Sequence, residues 1–348
     1  MSFKTLAALT VSIALTLPAA LGPAMACTRV LWNDNGVAVL VGRTMDWPES
    51  TEPVLTLFPR GLTRDGGMVG PDRVIATNAL VWTSKYASLV TTLYGVAAAD
   101  GMNEKGLAIH LQFLPEADFG PRDDSIPGVH AGLWPQYMLD NAATVAEALE
   151  LMASVQIVMA EARGIQATVH FAIEDSSGDP AIIEFIGGKM NVHHGREFIV
   201  LSNAPPYDEQ LALLAKQDFS KPSSWLPLPG NVNAVDRFQR ATYFEAQLPK
   251  PTSEREAVAS MFAIARNVSV PFGAPHDEFG LYNTEYRTVS DLTNKLYFFE
   301  LTTAPNVIWV DFSTFNLEAG APVMLLDPDN VELTGDVSAQ FVAGAAPY

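Results

Sequence analysis

At both ends of the chain apolar and β-branched residues gather in short runs bounded by turn residues, the pattern of strands, whose own period is two. Residues 28–33 and 37–43 are two such runs, and Asp34-Asn35-Gly36 between them carries a strong hairpin signal in its Asn-Gly pair. Further strand-type runs are predicted at 54–58, 89–93, 107–111, 168–173, 181–186, 198–201, 295–301 and 307–312. The period lengthens to that of a helix at 132–141 and 145–154, the second opened by the capping box Thr144-x-x-Glu147. It lengthens again at 207–216, 235–247 and 253–266, where Ala257, Val258, Met261, Phe262 and Ala265 recur at helical spacing. Strands, then helices, then strands predict a layered α+β fold. Segments 115–127 and 216–233, rich in Pro, Asp and Gly, read as mobile, solvent-facing connections and not as domain linkers.

One apolar run fits neither period. Residues 6–21 follow the positive Lys4 and precede Ala24-Met25-Ala26, the three parts of a secretory signal with its Ala-x-Ala cleavage site. Pro18 interrupts the run and polar Thr28 and Arg29 follow it, so it is short and badly flanked for a membrane span. The expectation is removal of residues 1–26, leaving 27–348 as a single exported domain, periplasmic or secreted. Of 348 residues, 322 then remain, ample for a large core.

Composition narrows the function classes. Twenty-one basic against thirty-nine acidic side chains give a net charge of −18, so no basic surface is available for nucleic acid. A single cysteine rules out an intrachain disulfide although export would permit one, which leaves stability to packing and association. The six histidines include one adjacent pair, His193-His194, whose side chains would point to opposite faces of a strand, and no metal site is expected. His110 and His170 fall within strand-type runs and read as ordinary packed or exposed side chains.

That single cysteine is Cys27, and the predicted cut would make it the first residue of the exported chain. A free α-amino group titrates near pH 7.7–8.0, against about 10.4 for lysine, so it is a usable base at neutral pH. An N-terminal thiol can therefore pass its proton to its own amine, directly or through water, with no histidine required. In Gly42-Arg43-Thr44-Met45-Asp46-Trp47, an arginine and a carboxylate stand at the end of the neighbouring strand, within reach of Cys27.

Cys27-Thr28, that segment, the run Asp100-Gly101-Met102-Asn103-Glu104-Lys105-Gly106-Leu107, Leu201-Ser202-Asn203-Ala204-Pro205 and Asp236-Arg237-Phe238 together resemble the choloylglycine hydrolase family, which includes penicillin V acylases. The resemblance spans nearly the whole of 27–348. It implies the four-layer αββα sandwich of N-terminal nucleophile hydrolases, a homotetramer, no cofactor, and a small-molecule N-acyl amide as substrate. It also implies roles. Cys27 attacks the amide carbon, Arg43 holds the thiolate environment positive, Asp46 orients the terminal ammonium, Asn203 donates to the oxyanion, and Arg237 stabilises developing charge or a substrate carboxylate. Gln112 stands where many bile salt hydrolases carry asparagine, and its backbone N–H is expected to complete the oxyanion hole. Trp47 and Phe113 would line an aromatic acyl pocket. Conjugated bile salts, phenoxyacetyl penicillin and N-acyl-homoserine lactones all remain open as substrates. A reading from another class is a binding lipoprotein acylated on Cys27, although Ala24 stands where such signals usually carry a branched residue.

Overall fold

The computed structural model describes residues 27–276 and 280–348, so the predicted signal lies outside the described residues. Strands are numbered here in chain order within the two large sheets. The first sheet contains β1 (Thr28–Trp32), β2 (Leu40–Trp47), β10 (Val200–Ser202), β11 (Ala274–His276), β12 (Gly280–Asp291), β13 (Leu296–Leu301), β14 (Ile308–Asp311) and β16 (Gly335–Asp336). Its order is β10-β1-β2-β12-β13-β14-β16, with β11 paired to β12. The second contains β3 (Leu55–Phe58), β4 (Ser88–Leu93), β5 (Ala97–Asn103), β6 (Ala108–Phe113), β7 (Val169–Glu174), β8 (Pro180–Ile186), β9 (Lys189–His194), β15 (Val323–Leu326) and β17 (Val342–Gly344). Its order is β9-β8-β7-β6-β5-β4-β3-β15-β17.

Three apolar clusters fill the spaces between layers. Leu31, Val41, Leu89, Met102, Ala108, Tyr286 and Phe299 belong to the one between the two sheets. Helices α1 (Trp134–Asn141) and α2 (Val145–Met152) bury Trp134, Met138, Val145 and Ala148 against the outer face of the second sheet. Helices α3 (Tyr207–Leu214), α4 (Ala234–Glu245) and α5 (Glu254–Asn267) cover the first, with Phe238, Ala257 and Met261 packed on Val30, Leu40 and Val289. The result is the expected αββα sandwich. The capping box forms: Thr144 accepts from the Glu147 N–H at 3.2 Å, and Glu147 reaches back to the Ala143 N–H at 2.7 Å.

Each strand and helix named from the sequence is present, within about two residues at its ends except for β2, which starts three residues and ends four residues later than expected. The first connection differs. Asn-Gly does not close a two-residue hairpin, because Asn35 Oδ1 accepts from both the Val37 and Ala38 N–H groups and rounds the chain into a wider loop between Trp32 and Leu40. The histidines differ too. His110 is buried between the sheets with Nδ1 and Nε2 each 2.6 Å from a carboxylate, Asp100 and Glu174, and Arg29 pairs with that same Glu174. Burial alone would lower the His110 pKa, yet the two carboxylates raise it, while the histidine holds Asp100 at about 2 despite burial. His170 in turn lies 2.7 Å from Glu184.

Glu245, the last residue of α4, is pushed up to about 7 by burial and by the charge of Asp34. A carboxylate at a helix C-terminus also meets the negative end of the dipole. Because the folded pKa lies above the unfolded one, its penalty is absent at acid pH, grows between about pH 4.5 and 7, and persists above. Glu245→Gln is expected to raise stability at pH 8 by up to about 1 kcal/mol and to change nothing at pH 4. Urea unfolding at the two pH values checks this, and equal effects at both would overturn it.

Candidate active site

β1 lies between β2 and β10, with Thr28 opposite Thr44 on one side and Ser202 on the other. Cys27, immediately before it, is thereby set beside Met45 and Asn203. Side chains directly across a sheet share a face. Arg29, Arg43 and Thr288 form one row facing the inter-sheet space, and Met45 and Tyr286 the next.

Cys27 is 2% exposed. Its sulfur lies 3.7 Å from Arg43 Nη2 and 3.8 Å from Met45 Sδ. Its nitrogen donates to Asn203 Oδ1, and Ser202 Oγ holds its carbonyl at 2.9 Å. Burial raises the thiol pKa, Arg43 opposes that rise, Asp46 adds to it by its charge, and the Asp46 backbone N–H aimed at the sulfur lowers it. The proton is thus held firmly until a nearby base takes it.

Arg43 owes its place to a gap in the second sheet. β5 and β6 pair only as far as Asp100 and His110. Beyond that they part, and the guanidinium enters between them, donating to Ala99 O at 2.8 Å and Leu111 O at 2.9 Å. Two carbonyls with no strand opposite thus compensate a buried cation. Burial alone would lower the Arg43 pKa, but Cys27, Tyr286 and Asp100 around it raise it.

Asp46 and Arg237 meet on the other face of the first sheet. Alternation after Met45 sets Asp46 on the helix side, and a register shift that skips Glu285 on β12 brings Thr284 beside it, so the carboxylate accepts from Thr284, from Thr44 at 3.0 Å and from Arg237 Nη1 at 3.1 Å. Arg237 also donates to Thr28 Oγ1 and, through Nε, to Val232 O at 2.9 Å. Burial raises the Asp46 pKa and Arg237 opposes it. The Cys27 N–H, expected to donate to the Asp46 carboxylate, donates to Asn203 Oδ1 instead, while that carboxylate is held by Arg237, Thr284 and Thr44.

Asn203 Nδ2 donates to Phe113 O at 2.7 Å and retains a second N–H. On a paired strand, backbone polar groups of alternate residues point to opposite edges. Leu111 O meets Arg43 and Phe113 O meets Asn203, whereas the Leu114 N–H bonds to Thr168 O on β7's side. The N–H of Gln112, opposite His170, therefore faces β7, and the N–H of Phe113 faces Cys27. This corrects the expectation for Gln112 by one residue. The Gln112 side chain is buried, and neither of its polar atoms has a hydrogen-bond partner among the described residues.

A cavity opens from Cys27. Its lining is mostly apolar, with Leu111, Val169 and Ile165 joined by Trp47 and Phe113, whose rings meet edge-on at 6.3 Å. His130 stands in its wall, held near a pKa of about 4 by burial and hence neutral at pH 7. Trp47 Nε1 donates to Tyr94 Oη at 2.8 Å, and Tyr94 donates to Glu49 at 2.7 Å. Tyr94, Met45, Thr28, Thr44 and Thr284 were not singled out from sequence. Thr28, Thr44 and Met45 lie within the quoted motifs, and outside those only Tyr94 carried a signal, since Tyr94-Gly95 is a turn pair bounded by apolar residues.

Among the described residues, no group of three or more His, Cys, Asp or Glu could hold a metal, and no helix is long and apolar enough to cross a membrane. The site is therefore read from its thiol, arginines and amide.

Comparison with known proteins gives the family and the fold. The family model for linear amide C–N hydrolases of the choloylglycine hydrolase family matches residues 27–325. A penicillin V acylase from Pectobacterium atrosepticum is 36% identical over 330 residues, covering 87% of this chain and 85% of its own. The solved penicillin V acylase of Agrobacterium tumefaciens superposes with a TM-score of 0.81 at 38% identity, covering 92% of this chain and 98% of that one. A variant of the conjugated bile acid hydrolase of Clostridium perfringens shares the fold, with a TM-score of 0.75 at 22% identity over 89% of this chain and 98% of that one. The match to the family model begins at Cys27, the residue around which the buried cation, the amide and the apolar cavity converge, and the chain belongs to the choloylglycine hydrolase family of linear amide C–N hydrolases.

Proposed function

We propose that this hydrolase is exported, cut before Cys27, and cleaves N-acyl amides with Cys27 as an N-terminal nucleophile. The observation that carries the proposal is that sulfur and nitrogen of one residue each have a dedicated partner, Arg43 for Sγ and Asn203 for the nitrogen. Freed by cleavage, that nitrogen is the base nearest the thiol. It takes the thiol proton, Sγ attacks the amide carbon, and the C–N bond breaks as the ammonium returns its proton to the leaving nitrogen. The resulting thioester is hydrolysed by water, which the same amine deprotonates. Arg43 stabilises the thiolate, and the Asp46 carboxylate, held by Arg237 and Thr284, favours the ammonium by its nearby charge and not by a direct hydrogen bond. The oxyanion is held by the Phe113 N–H and the second N–H of Asn203 Nδ2.

The acyl group lies in the cavity between Trp47 and Phe113, and no cofactor is needed for these steps. The likeness to penicillin V acylases and the aromatic walls favour an aryl-bearing acyl group such as phenoxyacetyl over a steroid. Acyl-homoserine lactones share the same acyl-amide chemistry and are the second substrate class. A binding lipoprotein is disfavoured by the burial of Cys27, since an acylated residue must reach a membrane. Association of copies, as a homotetramer, is part of the proposal.

Amine release from penicillin V, glycocholate and an acyl-homoserine lactone ranks the substrates, and release from none of them would overturn the proposal. Asn203→Ala is expected to lower kcat by about 10²–10³-fold with KM little changed. A change confined to KM would remove Asn203 from the oxyanion hole.

A further inference from the structure

The cover of the acyl cavity is a small hairpin, Glu161–Ala162 paired with Ile165–Gln166, which pairs with no strand of either large sheet. A two-stranded ribbon of this size is marginal by itself. Yet Glu161, Ala162, Ile165 and Gln166 all line the cavity, and with Tyr94, Val96 and Val69 they make up most of the lining that reaches solvent. The opening is therefore at this hairpin. What holds it is found at its tip.

Arg163 and Gly164 occupy the tip with φ of 54° and 79°, a turn that throws the Arg163 side chain outward. Its guanidinium lies 4.2 Å from the centre of the Tyr94 ring and 2.7 Å from Glu52 Oε1. Tyr94 and Gly95 form a second tip, between β4 and β5, with φ of 53° and 66°. The Tyr94 N–H is tied at 2.8 Å to Thr51 O, in the loop that carries Glu52. One side chain thus joins three loop tips around the cavity mouth. Tyr94 is also the residue that fixes the Trp47 indole, so roof and aromatic wall share one anchor.

We propose that Arg163 is a specificity-determining latch: stacked on Tyr94 and paired with Glu52, it keeps the 161–166 hairpin closed over the cavity and so limits the bulk of the acyl group that reaches Cys27. The proposal depends on the reading of this cavity as the acyl site. Arg163 itself does not line the cavity, so its loss spares the chemistry. The pair is half in solvent, and salt weakens such pairs. Lysine would keep the charge but lose the flat stacking surface.

The test measures kcat/KM for amides of one amine carrying acyl groups of graded bulk, from phenoxyacetyl to cholyl, at low and high ionic strength. Arg163→Ala is expected to raise the bulky-to-small ratio by about five- to tenfold, leaving kcat for the small acyl group unchanged. Arg163→Lys should fall between, and Arg163→Glu combined with Glu52→Arg should return the ratio toward wild type. Added salt should raise the ratio in wild type and leave Arg163→Ala unmoved. A wild-type ratio in Arg163→Ala at both ionic strengths overturns the latch, as does an equal loss for every acyl group that the charge swap fails to rescue. Failure of the underlying reading is distinct, since hydrolysis surviving in Cys27→Ala would remove the site itself whatever the ratio.

Discussion

Cys27→Ala is expected to lower amide hydrolysis by at least about 10⁴-fold, as losing the nucleophile does in other covalent hydrolases. The structure allows no substitute. Met45, whose Sδ lies 3.8 Å from the Cys27 sulfur, is a thioether with no proton to lose, and Arg43 is a permanent cation. Removing one sulfur from a site already closed by Met45, Leu111 and Ala99 costs little packing, so the variant should fold normally. Measured turnover with unchanged circular dichroism and melting temperature checks both parts. Turnover within tenfold of wild type would end the assignment. Cys27→Ser should be nearly as poor, because a hydroxyl is much harder to deprotonate and burial already works against the anion.

Retaining even one residue before Cys27 is expected to silence the enzyme almost as completely. The lone pair of an amide nitrogen is delocalised into its carbonyl and does not accept the thiol proton, so a chain beginning at Ala26 keeps its thiol and loses its base. The Cys27 nitrogen is also held by Asn203 Oδ1, so an added residue must find room beside that contact. A matched pair of proteins, one starting at Cys27 and one at Ala26, gives the measurement, with N-terminal identity confirmed by mass. Thiol alkylation of both by iodoacetamide separates the causes. If the longer chain still reacts at its thiol yet does not turn over, the missing amine is responsible. Full activity in the longer chain would show that some other group serves as base.

What could be read in the sequence was local or carried by motifs. The strands beside Cys27 and through Arg43 announced themselves as apolar, β-branched runs around an Asn-Gly turn, and α2 and α5 by their spacing and caps. The longest strand, Gly280–Asp291, did not, because its run of Tyr, Asn, Thr, Glu, Arg and Ser has buried polar side chains facing other polar side chains. β5 is built of Ala, Asp, Gly, Met and Asn, poor strand formers held by two neighbours. Site residues on motifs were found, but their partners were not, since Thr284 and Thr28 matter only through a bulge and a register that no single segment encodes. The assignment of the backbone donor to Gln112 in place of Phe113 has the same origin. Which edge an N–H faces depends on the strand it pairs with, here β7, and the pairing is 58 residues away in sequence at Gln112 and His170.

The placement of β1 has a further consequence. Chain ends ordinarily fray, opening to solvent at almost no cost in free energy. Here the strand that would begin the exported chain is an interior strand, bonded to β2 on one edge and to β10 on the other, with α4 and α5 packed over it. To let its terminus swing free, the protein must break two ladders at once. Amide hydrogens of Val30 and Leu31 should therefore exchange among the slowest in the molecule, through global unfolding and not through local breathing. The first residue to leave the membrane machinery would be one of the last to see water again.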